Sequence, residues 1–337
     1  MNDTQNWIPS YIRTCLTTFV AIAVVSFDSY LHCQETSSQA REVPSTIEPV
    51  TTAEDDVRSS EEDGKPKEAR KPKLKFIKNG GVVFKKTAEY ELKCDVYVPE
   101  GDGPFPAILA VHGGFWRAGS KVAMLRHAWR MARAGYVVVA INYRHAPKYP
   151  FPAQIHDCKH AVRWMKENKS TYKIDADRIG AFGYSAGGHL AALLGTTEAT
   201  DGLEGPVESG HEEYSTRVKV VAAGGAPFEF SWISENSPVL MYWLGGTKKQ
   251  KPKTFRAASP MTFVTPDDPP FYLFHGQSDF VVPRDTAKNM HNRLLAVGIE
   301  SKYDVAKGSG HVATFSDLTW MNNAIVFFDK HLKNPKK

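Results

Sequence analysis

The chain has 337 residues, of which 42% are hydrophobic and 23% are charged, so its composition is that of a globular protein with a sizeable core. Its formal net charge of +5 is modest, and its lysines and arginines are spread along the chain. We expect no nucleic-acid partner, because such binding depends on basic residues gathered into a patch or stripe. The densest basic run, "TKKQKPK" at 247–253, is expected to be a solvated loop.

The first 33 residues have the features of a targeting segment. Arg13 precedes the apolar run "CLTTFVAIAVVSF" at 15–27, which has the length of a signal-peptide core and is short for a membrane span. Residues 1–33 are therefore predicted to be a signal peptide. An uncleaved signal anchor is the alternative, because Asp3 weakens the positive start and no clean cleavage site follows. Both interpretations predict an exported protein, secreted or periplasmic, and only the uncleaved anchor would attach it to a membrane, through its N-terminus.

Residues 34–73 are rich in Glu, Ser, Thr, Pro and Lys and nearly lack aromatic side chains. Such a segment buries too little apolar surface to offset the entropy lost on ordering. We predict a disordered linker over 34–73, followed by one folded domain over 74–333. Cys94 and Cys158 fall on apolar faces of this domain and are expected to be buried thiols rather than a disulfide.

From residue 75 onward, short β-branched runs alternate with helical patterns. Strands are predicted at 92–99, 106–114, 136–143, 178–185, 218–225, 270–276 and 301–308. Helices are predicted near 121–134, 153–169, 186–195, 284–297 and 315–332. Apolar strands separated by helices indicate an α/β fold with a mostly parallel sheet covered on both faces. A first pair of strands, between residue 75 and residue 100, has no helix between its members and is expected to form an antiparallel hairpin at the sheet edge.

The stretch "GYSAG" at 183–187 lies between a predicted strand and a predicted helix. It matches the G-x-S-x-G pattern of a nucleophile elbow, in which a serine occupies a strained turn. The flanking glycines leave room for the strand and the helix to approach each other. Ser185 is therefore predicted to be a nucleophile, raised out of the sheet at the N-terminus of the helix.

A nucleophilic serine needs a base, and the base needs a carboxylate that holds it in one tautomer. Asp279 follows a predicted strand in "FHGQSDFVVP", and His311 follows the next strand in "KGSGHVATF". The chain order Ser185, Asp279, His311 is the order expected of an α/β-hydrolase. We predict that these residues form a catalytic triad. A turn-forming role for Asp279 and a helix-capping role for His311 are the structural alternatives.

The segment "AVHGGFWRAGSK" at 110–121 places two glycines directly after a buried strand. A tetrahedral oxyanion needs convergent N–H donors, and glycines let the backbone come close to it. We predict an oxyanion hole formed by N–H groups at Gly113, Gly114, Phe115 and, after the nucleophile, Ala186.

Other site types are disfavoured. Lys121 follows Ser120, whereas a phosphate-binding loop needs lysine before the hydroxyl residue, so no nucleotide site is expected. "GHEEY" at 210–214 has no second histidine at helical spacing, so no metal or other cofactor is expected. His112 is expected to bond nearby backbone and hold its loop.

The sequence resembles the α/β-hydrolase-fold esterases and lipases of the hormone-sensitive-lipase type, and particularly their BD-FAE-like branch. The resemblance covers about 75 to 333 and rests on "HGGFW", "NYRHAPKYPFPAQIHDCKHAVRWM", "IDADRIGAFGYSAGGHLAALLG", "DDPPFYLFHGQSDFVVP" and "GSGH". It implies hydrolysis of short acyl (acetyl) or feruloyl-type esters, often those that decorate polysaccharides. The substrate would be a small-molecule or polysaccharide ester, and Ser185, Asp279 and His311 match the family's triad.

The chain departs from the family pattern near the expected site. Phe115 stands where the lipase-type enzymes have a third glycine, and Val312 and Ala313 stand where many branch members have glycines. A narrower oxyanion loop and acyl pocket are therefore expected. No helical cap precedes the first strands, so the lid is expected from 228–246.

The predicted lid contains five aromatic residues, Phe228, Phe230, Trp232, Tyr242 and Trp243. Either these side chains line an acyl or sugar site, or they pack the lid on the sheet. Among the aromatic residues of the chain, we expect Trp116, Tyr184 and Trp232 to contact substrate.

The prediction is thus a serine carboxylesterase. A kynurenine-formamidase-like amidase shares the fold and the oxyanion glycines and is the main enzymatic alternative. A prolyl-oligopeptidase-type peptidase is disfavoured, because it would need a large N-terminal propeller where this sequence has the predicted linker. A non-catalytic binding protein on this scaffold usually lacks a triad residue, and none is missing here.

Overall fold

The computed structural model describes residues 74–207 and 210–334. The predicted signal peptide or anchor at 1–33 and the predicted linker at 34–73 lie outside these ranges. Within the described ranges, no helix is long and apolar enough to cross a membrane.

The described residues contain one eight-stranded sheet with the spatial order β1-β2-β4-β3-β5-β6-β7-β8. Its strands are β1 (Phe76–Lys86), β2 (Glu91–Pro99), β3 (Phe105–Val111), β4 (Val137–Ile141), β5 (Ile174–Tyr184), β6 (Val221–Gly224), β7 (Phe271–Gly276) and β8 (Ser301–Ala306). β1 and β4 both run antiparallel to β2, and the other neighbours in the sheet are parallel. The predicted α/β class and antiparallel N-terminal edge are confirmed.

Helices connect the strands. They are α1 (Leu125–Arg133), α2 (Ala153–Glu167), α3 (Ala186–Thr196), α4 (Met241–Leu244), α5 (Pro252–Ala257), α6 (Asp285–Ala296), α7 (His311–Ser316) and α8 (Leu318–Phe328). Short 3₁₀ segments lie at Lys121–Met124, Ala199–Asp201 and Pro260–Phe263, and Asp329–Lys333 is π-helical.

Helices cover both faces of the sheet. Successive side chains of a strand point to opposite faces, so neighbouring residues of one strand pack in different cores. Ile108 packs in a core with Met131 of α1 and Phe328 of α8. Leu109, the next residue along β3, packs in a second core with side chains of α2, α3 and α6, such as Leu190 and Met290. The strands are therefore apolar on both faces, as a buried parallel sheet requires.

One predicted helix is two helices in the structure. The pattern near 315–332 predicts a single helix, but the chain leaves helical geometry at Asp317, where φ is −78° and ψ is 108°. The Asp317 carboxylate accepts a hydrogen bond of 2.9 Å from the N–H of Thr319 and so caps α8. The preceding helix, α7, begins at His311.

The two cysteines of the domain behave as predicted. Cys94 and Cys158 are buried free thiols. Burial raises the pKa of the Cys94 thiol to about 12, so it stays uncharged and packs as a small apolar side chain.

The sheet brings the predicted site segments to one edge. β3 and β5 are paired with Val111 opposite Gly183, and β5 and β6 with Tyr184 opposite Gly224. The parallel strands β3, β5, β7 and β8 therefore end at the same side, and the loops that follow them meet there. In open α/β sheets this carboxyl edge is the usual position of a ligand site.

Candidate active site

Ser185 lies in a sharp turn between β5 and α3. Its φ of 56° and ψ of −126° are strained for a residue that has a Cβ atom. A Cβ added to Gly183 would lie 2.2 Å from the carbonyl oxygen of Gly187, and one added to Gly187 would lie 2.0 Å from that of Val111. Only glycine fits at either position, which confirms the explanation given for the two glycines of the motif.

The backbone around Ser185 is fixed on both sides. Its N–H donates to the carbonyl oxygen of Gly224, and its own carbonyl oxygen accepts from the N–H of His189 in α3. Ala186 is the first residue of α3, and the first N–H groups of a helix have no partner inside the helix. The N–H of Ala186 is thus placed beside the serine hydroxyl.

The loop after β3 lies directly against the serine. A Cβ added to Gly113 would lie 3.2 Å from Cβ of Ser185 and 2.9 Å from the carbonyl oxygen of Tyr184. Gly114, Phe115 and Trp116 all have positive φ, at 120°, 54° and 56°. The chain therefore folds back tightly here, in a conformation that leaves Phe115 42% exposed.

His112 and Tyr143 stabilise this loop through hydrogen bonds and ring stacking. Nδ1 of His112 donates to the carbonyl oxygen of Gly113 over 2.7 Å, and its ring stacks on that of Tyr143 with centroids 4.3 Å apart. The Tyr143 hydroxyl donates to the carbonyl oxygen of His112. Burial lowers the pKa of His112 to about 4, so the ring is neutral at physiological pH. These contacts agree with the loop-holding role expected of His112.

Asp279 and His311 are joined directly. Oδ2 of Asp279 accepts a hydrogen bond of 2.6 Å from Nδ1 of His311. Oδ1 of Asp279 accepts the backbone N–H groups of Val281 and Val282, each at 2.9 Å. Although burial by itself would raise the pKa of this carboxyl, hydrogen bonds from His275 and then His311 hold it below its usual range. The carboxylate is therefore ionised while it orients the imidazole.

His311 contacts Tyr184, the residue that precedes Ser185. The Tyr184 hydroxyl donates to the carbonyl oxygen of His311 over 2.7 Å, and the two rings have centroids 5.1 Å apart. Tyr184 immediately precedes Ser185 at the end of β5. In the described part of the chain the Ser185 hydroxyl forms no hydrogen bond. The hydrogen bond between a nucleophile and its base often tightens only when substrate binds.

Two of the aromatic residues expected to contact substrate are buried. Trp116 is 3% exposed, and its ring stacks on Trp243 at a centroid distance of 3.6 Å. Tyr184 is also 3% exposed. Trp232 is 39% exposed, with its indole N–H bound to the carbonyl oxygen of Glu229. Substrate contact stays a prediction for all three, and of the three Trp232 has the most accessible surface.

In the 228–246 segment, three of the five aromatic side chains pack against the domain, and lining of an acyl or sugar site stays a prediction. Phe228, Phe230 and Trp243 are buried and pack against the domain. Tyr242 instead donates its hydroxyl to the carbonyl oxygen of Phe115 and so ties this segment to the oxyanion loop. The segment therefore lies next to the candidate site.

His275 was given no role by the sequence analysis. It is fully buried at the end of β7, and its Nε2 lies 3.2 Å from Oδ2 of Asp279. The signal was present in "FHGQSDFVVP", since a histidine precedes the aspartate by four residues after a strand. The sequence alone does not show that the loop turns back on this side chain.

No group of three or more potential metal ligands occurs within 74–207 and 210–334.

Comparisons with known proteins place the chain in a family. The family model described as BD-FAE matches residues 94–294, which include Ser185 and Asp279. "Probable carboxylic ester hydrolase LipM" of Mycobacterium tuberculosis is 32% identical over 202 residues, which are 58% of this chain and 46% of that protein. The chain spans about half the length of the curated relatives it matches.

Solved structures agree with this assignment. The truncated form of a carbohydrate esterase from gut microbiota has a TM-score of 0.69 at 25% identity, covering 78% of this chain and 98% of that one. A bifunctional GH43-CE protein of Bacteroides eggerthii has a TM-score of 0.67 at 29% identity, covering 74% of this chain and 37% of that one. The chain belongs to the BD-FAE family of α/β-hydrolase-fold proteins.

Proposed function

We propose that the protein is a serine carboxylesterase that acts by acyl transfer through Ser185. The observation that carries this proposal is the 2.6 Å bond between Asp279 and Nδ1 of His311, at the sheet edge where Ser185 occupies its strained turn. With Nδ1 engaged, Nε2 of His311 is the nitrogen left to take a proton from the serine. The relative named as a carboxylic ester hydrolase supports the same class of reaction.

In the proposed reaction, Nε2 of His311 takes the hydroxyl proton as Oγ of Ser185 attacks the ester carbonyl carbon. The carbonyl π electrons move to oxygen and form a tetrahedral oxyanion. When the oxyanion collapses, the bond to the alcohol oxygen breaks, and that oxygen takes the proton from Nε2. Water then attacks the acyl-serine by the same two proton transfers and releases the acid. Asp279 accepts the Nδ1 hydrogen bond throughout and stabilises the imidazolium.

The oxyanion would be held by backbone N–H groups from two sides. The N–H of Ala186 comes from the start of α3, and those of Gly114 and Phe115 come from the loop that packs on Ser185. Gly113 lets this loop approach the serine. Loss of one such donor typically lowers the rate by about 10²- to 10³-fold.

We propose short-chain acyl esters, above all acetyl esters, or feruloyl-type esters as substrates, with polysaccharides as one source of them. Two structural neighbours are described as a carbohydrate esterase and as a GH43-CE protein. Half-exposed Phe115 and Trp232 offer apolar surface for an acyl, aromatic or sugar group. Export, as predicted from 1–33, would bring the enzyme to such polymers outside the cytoplasm.

Hydrolysis by the full chain and by Ser185→Ala tests the proposal. The substrates are p-nitrophenyl acetate, butyrate and octanoate, methyl ferulate and acetylated xylan. Turnover that depends on Ser185 and favours acetate would support a deacetylating esterase, and turnover of methyl ferulate would support the feruloyl class. Turnover retained by Ser185→Ala would contradict the assigned nucleophile. If none of these esters is hydrolysed but N-formylkynurenine is, the protein is an amidase of the same fold.

A further inference from the structure

Within the described residues, the hydrogen bond made by His275 is directed at the loop that carries Asp279. Its Nε2 lies 3.0 Å from the carbonyl oxygen of Val282 and 3.2 Å from Oδ2 of Asp279. A carbonyl oxygen can only accept, so the nitrogen that faces it must carry the proton. The contacts therefore assign the Nε2–H tautomer, with the hydrogen bonded to the carbonyl oxygen of Val282 and Oδ2 of Asp279 close beside it.

The other ring nitrogen makes no competing contact. Nδ1 of His275 is buried and has no hydrogen-bond partner within the described residues. In the Nε2–H tautomer this atom has a lone pair, so an acceptor rather than an N–H donor is left unpaired. The polar interactions of the side chain are thus directed entirely at Asp279 and Val282.

The carboxylate of Asp279 is bound by donors on both oxygens. Backbone N–H groups of Val281 and Val282 hold Oδ1, whereas Oδ2 accepts from His311 and lies 3.2 Å from Nε2 of His275. Val282 takes part twice, since its N–H binds Oδ1 and its carbonyl oxygen accepts from His275. The turn at 279–282 is therefore closed by hydrogen bonds and attached to β7 through one side chain.

Among the described residues, the titratable side chains that act on Asp279 or respond to its charge include His275, His311 and Tyr184, and His275 comes from β7. His311 comes from α7, and it is the group that gains and loses a proton in the proposed reaction. Tyr184 comes from β5, and its pKa is raised by burial and then by the charge of Asp279, so it stays uncharged. Of these side chains, His275 places an N–H beside the carboxylate and is not itself a reacting group.

We propose that His275 is a positioning residue: its Nε2–H, bonded to the carbonyl oxygen of Val282 and close beside Oδ2 of Asp279, holds the Asp279 carboxylate toward Nδ1 of His311. This role rests on the proposed function, because His275 acts on the base through Asp279 and does not touch substrate. The hydrogen bonds from His275 and His311 that hold the pKa of Asp279 below its usual range agree with it.

Two variants of the full chain separate the hydrogen bond from packing. In His275→Gln, the amide nitrogen is at about the same reach as Nε2 and can donate to the same two oxygens. In His275→Leu, a side chain of similar bulk has no donor. We expect His275→Leu to lower kcat for p-nitrophenyl acetate by about 10- to 100-fold, the range for loss of a hydrogen bond to a charged group. KM should change little, and His275→Gln should recover most of kcat.

The pH profile distinguishes positioning from simple destabilisation. Without the His275 donor, the Asp279 carboxylate is a stronger acceptor for Nδ1–H of His311 and stabilises the protonated imidazole more, so the acidic limb of the kcat profile should move to higher pH in His275→Leu and return in His275→Gln. A structural role alone would lower the melting temperature and the fraction of active enzyme in both variants without moving that limb. That outcome would overturn the proposal.

A measurement without turnover keeps this inference separate from the proposed function. The carboxyl carbon of Asp279, followed by NMR in ¹³C-aspartate-labelled protein, should titrate at higher pH in His275→Leu than in the wild type. An unchanged titration would overturn the role of His275 even if the enzyme is active. A shifted titration in a protein without Ser185-dependent turnover would uphold the pairing and reject the esterase. If His275→Leu does not fold, ¹⁵N NMR of wild-type His275 decides, and a proton on Nδ1 would overturn the assignment.

Discussion

The carboxylate of Asp279 and the imidazole of His311 are joined by a hydrogen bond of 2.6 Å between side chains that come from loops after two neighbouring strands, β7 and β8. The pair is buried on the aspartate side and 11% exposed on the histidine side. The Asp279 carboxylate is shielded from water, whereas the His311 ring reaches solvent. This arrangement suits proton transfer between His311 and a bound substrate. The arrangement leads to a direct test of the aspartate.

Asp279→Asn should lower kcat by about 10³- to 10⁴-fold with little change in melting temperature, because an amide holds the wrong tautomer of the histidine. The matched control is Asp268→Asn, which replaces a buried carboxylate that is hydrogen-bonded to Thr265 rather than to His311. Activity on p-nitrophenyl acetate should be retained in that control. Equal activity of Asp279→Asn and the wild type would show that His311 is oriented by another group.

Gly187→Ala should destabilise the protein and abolish activity. The added Cβ would lie 2.0 Å from the carbonyl oxygen of Val111, so β3 and α3 would have to separate. Overpacking of a tight contact typically costs about 1–3 kcal/mol in the free energy of unfolding, and more where backbone must move. Urea unfolding followed by circular dichroism measures this loss.

Gly80→Ala is the control for that substitution. Its added Cβ would approach no atom closer than 3.5 Å, so its free energy of unfolding should stay within about 0.5 kcal/mol of the wild type, as for most surface changes. If Gly187→Ala is as stable and active as Gly80→Ala, the close approach of strand and helix is not what requires glycine in the motif.

The sequence predicted those features of the site that a short local pattern determines by itself. The glycines around Ser185 and the chain order of Ser185, Asp279 and His311 predicted the turn and the Asp279–His311 pair, because each follows from a strand end and a known turn geometry. The break of the last predicted helix at Asp317 was missed, since an apolar pattern continues across it and only the capping bond to Thr319 ends the regularity.

Other features depend on tertiary contacts that the sequence does not show. Trp116 follows the oxyanion glycines, so its position along the chain favoured a role at the site. In the structure its ring stacks on Trp243, which is more than a hundred residues away in sequence. The same applies to His275, whose partners become visible only once the 279–282 turn folds back on β7.

The stability of the protein should depend on pH through Asp268. Burial raises the pKa of this carboxyl to about 6, above the value of about 3.9 in an unfolded chain. Between these values the folded state binds more protons than the unfolded state, so the free energy of unfolding falls as pH rises from about 4 to about 6. The loss from this one group is at most about 3 kcal/mol.

Asp268→Asn should remove that part of the pH dependence. The difference in unfolding free energy between variant and wild type, measured by urea at pH 4, 5, 6 and 7, should shift in favour of the variant as pH rises. Asp102→Asn, which changes an exposed carboxylate, is the control and should give a nearly constant difference. A constant difference for Asp268→Asn as well would mean that the carboxyl titrates alike in both states.

Phe280 should contribute to the binding of esters with long apolar acyl chains. It directly follows Asp279 in the sequence, and its side chain is 97% exposed, so its replacement removes no packing contact of the fold. An apolar group of a bound ester that covers part of this ring would gain about 25 cal/mol for each Å² removed from water. Phe280→Ser should therefore lower kcat/KM for p-nitrophenyl octanoate about three- to tenfold, a loss of roughly 1 kcal/mol, and leave the value for acetate nearly unchanged.

Val326→Ser, on α8 and 70% exposed, is the matched control for loss of exposed apolar surface and should alter neither value. If Phe280→Ser keeps the wild-type ratio of octanoate to acetate, the ring does not contact the substrate.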